Sequence, residues 1–191
     1  MRRPGKKLFA SYKRRGEWVE LLFMTVASGL GFNVAKPWGE TPRYDVAVEL
    51  RGTFLRVQVK STEMWLGTCY LCQLYAFGHQ PYSPRDVDYF AIYVFPEDIW
   101  YIFPTKSLAG KRTIALTPHL KGHKYEPYME NWWLLTRRQP AKGKKAGVQN
   151  AAIEKAMEKR LANVLGNKDT PNRSMAAITR RIMRRLSGPG R

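Results

Sequence analysis

Cysteine is nearly absent from this chain. Its 191 residues include only Cys69 and Cys72, too few for a disulfide framework, so a reducing, intracellular and cytoplasmic setting is the expectation. Long apolar runs are missing as well. The longest spans Tyr89 to Phe95, well short of the ~20 residues a membrane-spanning helix requires, and no membrane association is expected. No apolar h-region follows the basic amino end, so no secretory signal is expected. Acidic residues are the third shortage: 15 Asp and Glu stand against 33 Lys and Arg, a net charge of +18. Neither a Walker loop nor a Ser-His-Asp elbow occurs, and there is no internal repeat, so those two chemistries are not read from the sequence.

What is present is a core-forming composition with a sharply partitioned charge. Hydrophobic residues make up 44% and aromatics 13%, which excludes disorder for the chain as a whole. Residues 1–15 carry +7, residues 140–191 carry +10, and residues 16–139 only +1. A chain of this kind meets nucleic acid, because each phosphate neutralised releases counterions. The plainer alternative is a solubilising or ribosome-associated tail. The divisions expected are a basic arm over 1–12 (flexible through residue 14), one α/β domain over 13–139, and a basic tail over 140–191. That tail opens on a linker at Pro140–Gly147, followed by helices over Ala151–Val164 and up to Leu186.

Apolar spacing predicts a helix from Arg15 to Leu30, with Gly31 just past its end. Asn33–Lys36 reads as a short strand, and Pro37-Trp38-Gly39 with Pro42 as a loop. Tyr44–Leu50 and Thr53–Ser61 alternate around Arg51-Gly52, a hairpin. Thr68–Ala76 is a third strand, residues 78–85 a loop, and Val87–Phe95 a strand buried on both faces. Ile99–Phe103 and Thr113–Leu116 are shorter strands, while Tyr125–Leu135 fits helix or strand equally.

The hairpin concentrates the chemistry. A turn at Arg51-Gly52 places Asp45 opposite Gln58, and the strand period of two puts Lys60 on the same face. Val46, Val48, Val57 and Val59 then point the other way, into a core. A carboxylate, an amide and an ammonium on one face suit metal-assisted phosphodiester cleavage. A hard divalent cation takes oxygen ligands, which Asp45, the Gln58 amide and the Val59 carbonyl would supply. The metal would acidify a bound water, and Lys60 would orient it or meet the developing charge. Glu17 and Glu20, one helical turn apart, are both candidates for an outer ligand. A solvated sheet face is the plain alternative for the same alternation.

Arg15-Gly16-Glu17-Trp18-Val19-Glu20, Gly31-Phe32, Lys36-Pro37-Trp38-Gly39, Tyr44-Asp45 and Val57-Gln58-Val59-Lys60-Ser61-Thr62 follow in an order that resembles the PD-(D/E)XK nuclease superfamily. The similarity is to the Gln-x-Lys branch, which includes a group I intron homing endonuclease and small bacterial domains; archaeal Holliday-junction resolvases are more distant. It covers residues 13–62, continues weakly through Ile99–Pro104, and does not reach 140–191. The resemblance implies a restriction-endonuclease-like α/β core, a mixed sheet flanked by helices. It implies hydrolysis of DNA with Mg²⁺ or Mn²⁺, and a dimer or tetramer. Carried over by position, the metal-binding Asp is Asp45, the second acidic position is Gln58, the Lys is Lys60 and the helix Glu is Glu20. Two departures stand out: Tyr44 replaces the family's proline, and Gln58 brings one negative charge fewer to the metal. DNA contacts are expected from Arg14, Arg15, Arg43, Lys142, Lys144 and Lys145, and from Trp38 in the loop before Asp45. A structure-selective or junction-resolving nuclease, and a non-catalytic binding protein on a decayed scaffold, are the competing readings.

Two other features of the sequence have the residue types of a site. Cys69-x-x-Cys72 with His119-x-x-x-His123 would suit zinc, but cysteines three apart on a strand face opposite ways, so ordinary strand cysteines are expected. Tyr128, Trp132 and Trp133 would suit base stacking, but core packing is the expectation.

Overall fold

The structure, a computed structural model, describes residues 9, 11–39, 41–50, 52–75 and 80–136. The expected basic tail, with its helices and Lys142, Lys144 and Lys145, lies outside the described residues.

Helix α1 runs Tyr12–Gly29, three residues earlier than the apolar spacing predicts. The reason is a cap: the Ser11 hydroxyl accepts the Arg14 N–H at 3.2 Å. Its first turn holds Lys13, Arg14 and Arg15 and no acid, the unfavourable charge for the positive end of a helix. At the other end Gly31 takes φ 92°. Phe32 N–H reaches the Ala27 carbonyl and Gly31 N–H the Ser28 carbonyl, at 3.1 and 2.9 Å. This is a Schellman closure, which needs the left-handed conformation glycine adopts freely. The stretch expected to be flexible through residue 14 is helical from Tyr12. Phe9 packs its ring against Trp18 and Phe95 at 5.5 and 5.7 Å, so apolar contact ties residue 9 to the domain.

Eight strands follow among the described residues: β1 Asn33–Ala35, β2 Val46–Leu50, β3 Thr53–Thr62, β4 Trp65–Leu66, β5 Cys69–Gln73, β6 Tyr89–Val94, β7 Ile99–Pro104 and β8 Thr113–Leu116. The main sheet has the order β1-β2-β3-β6-β7. Only the β3–β6 pair is parallel; the other three are antiparallel. The sheet is therefore mixed, as the resemblance implies. All six residues of β6 are buried, as expected for a strand covered on both faces.

Alternation in the central strands feeds two cores. Val57 and Val59 of β3, Tyr89, Ala91 and Tyr93 of β6, and Trp100 and Ile102 of β7 pack with Val19, Leu22, Phe23 and Val26 of α1. Each such helix side chain contributes roughly 1.5–3 kcal/mol by burial. Phe90, Ile92 and Val94 of β6 and Tyr101 and Phe103 of β7 point the other way. They pack against Tyr70 and Cys72 of β5 and Ile114 and Leu116 of β8. Among the described residues the second face is thus covered by a small sheet, β4-β5-β8, and the first by α1.

Tyr125–Leu135, undecided between helix and strand, is neither. It forms two 3₁₀ turns, Glu126–Tyr128 and Trp132–Thr136. Trp132 stacks on Phe23 at 5.5 Å, so this aromatic is core. No helix of the described residues is long and apolar enough to cross a membrane.

Candidate functional site

The hairpin register agrees with the spacing: Val46 faces Val57 and Leu50 faces Thr53. Asp45 stands one residue before β2, where its N–H donates to the Val57 carbonyl at 3.0 Å. Its side chain turns back over β3. Asp45 Oδ2 accepts the Val59 N–H at 2.7 Å and a bond from the Gln58 amide nitrogen. The Asp–Gln face is not solvated. Gln58 is only 5% exposed, beside Phe90 of the second core. A half-buried carboxylate bonded to a buried amide at the mouth of a covered face differs from the polar outer surface of a simple hairpin.

Charge gathers there from three elements. Burial first, and then the nearby charge of Glu20, raise the Asp45 carboxyl to about 6. The Val59 N–H, the Lys60 ammonium and the Gln58 amide oppose that rise. Glu20 comes from α1 and is held by Lys36, Nζ to Oε2 2.6 Å. Of the two helix carboxylates considered, Glu20 is the one whose charge reaches Asp45. Exposed Glu17 acts only at a distance, on Lys36. Lys60 is half-buried. Its Nζ lies 3.5 Å from the Tyr82 hydroxyl and 5.3 Å from the ring centroid.

The donor set suits a hard divalent cation. The charge of Glu20 adds to the cost of ionising Asp45, and a cation beside Asp45 would remove that cost. Strand geometry puts the Val59 carbonyl on the same side of β3 as its N–H, and β2 begins only opposite Val57. That carbonyl therefore lies past the last rung, next to Asp45. The Gln58 amide reaches the same spot, and its oxygen serves a cation once the group turns about its terminal torsion. No three His, Cys, Asp or Glu side chains gather into a metal-holding group among the described residues. A cation here would rest on Asp45, amide and backbone oxygens and water, a pattern Mg²⁺ accepts.

The predicted DNA contacts divide. Trp38 is 98% exposed and Arg14 is exposed at the start of α1. Arg43 stands beside the site, with Asp86 at 3.4 Å, the Pro81 carbonyl at 3.0 Å and the Tyr82 ring at 5.5 Å. Arg15 is tied into the fold: its side chain is 13% exposed and bonds Glu63 at 2.5 Å.

Cys72 is buried, which pushes its thiol up to about 12, while Cys69 is half-exposed. His119 packs on Trp65 and His123 on Tyr101.

Tyr82 had no signal in the sequence. It sits in a loop that the strand pattern marks only by its prolines. Burial, with the charge of Asp45 adding, pushes its phenol up to about 12, so it stays protonated at neutral pH. The loop is pinned from outside: Arg56 of β3 grips Asp88 at 3.0 Å and the Pro84 carbonyl at 3.2 Å, and Asp86 accepts the Ser83 N–H at 3.0 Å. Lys36 was legible as part of a motif, but not as the partner of Glu20.

In comparisons with known proteins, residues 10–134 match a family model described as PD-(D/E)XK endonuclease. The bacterial homing endonuclease I-Ssp6803I is similar in structure: TM-score 0.58 and 25% sequence identity, over 66% of this chain and 92% of that one. Hjc, a Holliday junction resolvase from the archaeal hyperthermophile Archaeoglobus fulgidus, aligns at TM-score 0.38 and 18% identity, over 55% of this chain and 85% of that one. The curated proteins give no match.

Proposed function

The chain belongs to the PD-(D/E)XK endonuclease family, and from that premise we propose that it is a metal-dependent DNA endonuclease, hydrolysing phosphodiester bonds at Asp45, Gln58 and Lys60. The observation that carries this reading is the bonding of Asp45 to the Gln58 amide and the Val59 N–H, with the Lys60 charge beside it.

Asp45, the Gln58 amide oxygen and the Val59 carbonyl would hold one Mg²⁺ or Mn²⁺. Such an ion supplies an acidified water and positive charge for the phosphoryl oxygens. The chain does the rest. Lys60 presents an ammonium where negative charge develops in the transition state. Glu20, the outer carboxylate, would add negative potential that favours a bound cation. Gln58 contributes no charge of its own, which keeps the affinity for the ion modest.

Arg14, Arg43 and Trp38 would meet the duplex around the site, and Lys142, Lys144 and Lys145 would grip its backbone. Phosphate contacts of this kind give affinity and a steep salt dependence rather than sequence choice. One site per chain cuts one strand, so a dimer or tetramer would cut both. An intracellular, cytoplasmic setting agrees with this substrate.

Supercoiled plasmid tests the reading. Incubation with Mg²⁺ is expected to give nicked and then linear DNA, and EDTA to stop it. A chain that cleaves no duplex, single-stranded or branched DNA with Mg²⁺ or Mn²⁺ would overturn it. A strong preference for branched DNA would assign the same chemistry to a structure-selective nuclease.

A further inference from the structure

We propose that Tyr82 is the positioning residue for Lys60, its ring holding the ammonium in the working direction; this rests on the nuclease reading of the Asp45–Gln58–Lys60 site.

A lysine is a compact charge on a flexible four-carbon stem, and freezing that stem costs rotamer entropy. A rate advantage from such a group requires that it already point at the reacting phosphate. Along β3, backbone register fixes Cα of Lys60 but leaves Nζ free to swing. Tyr82 removes that freedom. Nζ lies 5.3 Å from its ring centroid, inside the ~6 Å range of a cation–π contact. The hydroxyl at 3.5 Å is a weaker second hold.

The ring is itself held in place. It packs edge-on against Phe90 at 5.4 Å, the β6 neighbour of Gln58. Its loop is clamped by Arg56 through Asp88 and the Pro84 carbonyl. The next residue, Ser83, bonds Asp86 through both N–H and hydroxyl, at 3.0 and 2.8 Å. Arg43, which bonds Pro81 and Asp86, brings a second cation to within 5.5 Å of the ring. Two cations share one aromatic face-and-edge system next to Asp45. The loop therefore does more than cap the second core: it presents an aromatic surface to Lys60, the site candidate with the longest side chain.

A double-mutant cycle on the full-length chain tests this, read as single-turnover plasmid nicking with Mg²⁺ and as DNA affinity. Tyr82→Leu, which keeps apolar bulk but no π face, is expected to slow nicking roughly tenfold with affinity little changed. Tyr82→Phe, which keeps the ring and its packing on Phe90, is expected to restore the rate to within about threefold of wild type. In a Lys60→Ala background Tyr82→Leu is expected to have no further effect, because its action runs through Lys60. In NMR spectra the Lys60 Hε protons should shift upfield in wild type and Tyr82→Phe, and lose that shift in Tyr82→Leu. A wild-type rate for Tyr82→Leu, an equal loss for Tyr82→Phe, or a loss that persists in the Lys60→Ala background would each overturn the proposal. A wild-type rate for Lys60→Ala would overturn it as well, whereas a wild-type chain that nicks no DNA would overturn the nuclease reading on which it rests.

Discussion

Lys60→Ala is expected to slow single-turnover cleavage by about 10²–10³-fold while DNA affinity changes by no more than a few fold. The division between rate and affinity follows from where the charge stands. Lys60 is half-buried at the mouth of a covered sheet face, where water screens poorly and one charge is worth more than on an open surface. Affinity depends instead on many phosphate contacts spread over the basic residues, each replaceable by salt. The +1 balance of residues 16–139 against +7 and +10 at the two ends makes the same point: charge for gripping and charge for chemistry sit in different places. Asp45→Ala should be at least as severe. The double variant should be little worse than either single one, because residues that act as a unit are not additive. Lys60→Arg should not restore the rate: a guanidinium can lie on the Tyr82 ring, as that of Arg43 does, but it spreads its charge over a longer planar fork where a compact ammonium stood. Single-turnover nicking beside a binding isotherm for each variant checks all four outcomes. Equal losses of rate and affinity for Lys60→Ala would place the residue in the grip rather than the chemistry.

The second large effect is on stability, and its sign is unusual. Burial and the neighbouring Glu20 raise the Asp45 carboxyl from 3.8 to about 6. A raised carboxyl means that the native state binds more protons than the unfolded chain between those values. Stability contributed by this group is therefore full below about pH 4 and is lost as pH rises through about 6. At pH 8 without divalent ions the wild type carries the whole cost. Asp45→Asn removes the charge and keeps an oxygen for the Val59 N–H. It is expected to be more stable at pH 8 by about 2–3 kcal/mol, a rise in Tm of roughly 5 °C or more. The gain should vanish near pH 4. Mg²⁺ or Mn²⁺ should reverse the order, because an ion that binds only the native wild type stabilises it by mass action. Thermal melts of both proteins at pH 4, 6 and 8, with and without the ion, check this. An Asp45→Asn variant that is less stable at every pH would show that the carboxylate is a structural partner rather than an ionic site held at a cost.

Much of the site was readable because it lies on one hairpin. Period-two alternation and a glycine turn fix the Asp45–Gln58 register, and no distant contact can move it without flipping every valine of β2 and β3 out of the core. The Schellman glycine at 31 was readable for a similar reason: local backbone geometry selects the residue. The helix start was missed because Ser11, with arginines and a lysine behind it, looks like the end of a basic arm. The covering of the second face was not readable. It depends on β5 pairing with β8, some forty residues on, and on β4, too short for any periodicity. Without that layer Gln58 and Lys60 alternate like an ordinary solvated face. Tyr82 was hidden for the same reason: Arg56 and Asp88 bring it to Lys60, and neither carries a motif. The 3₁₀ turns at 126–136 have no sequence period long enough to register.

The location of the metal decides the matter most directly. Fe²⁺ with ascorbate, loaded in place of Mg²⁺, cuts a polypeptide backbone beside the bound ion. Cuts are expected next to residues 45 and 58–60, suppressed by excess Mg²⁺ and absent from Asp45→Ala. Cuts elsewhere in the chain, or an unchanged pattern in Asp45→Ala, would contradict a metal centre built on Asp45, Gln58 and Val59.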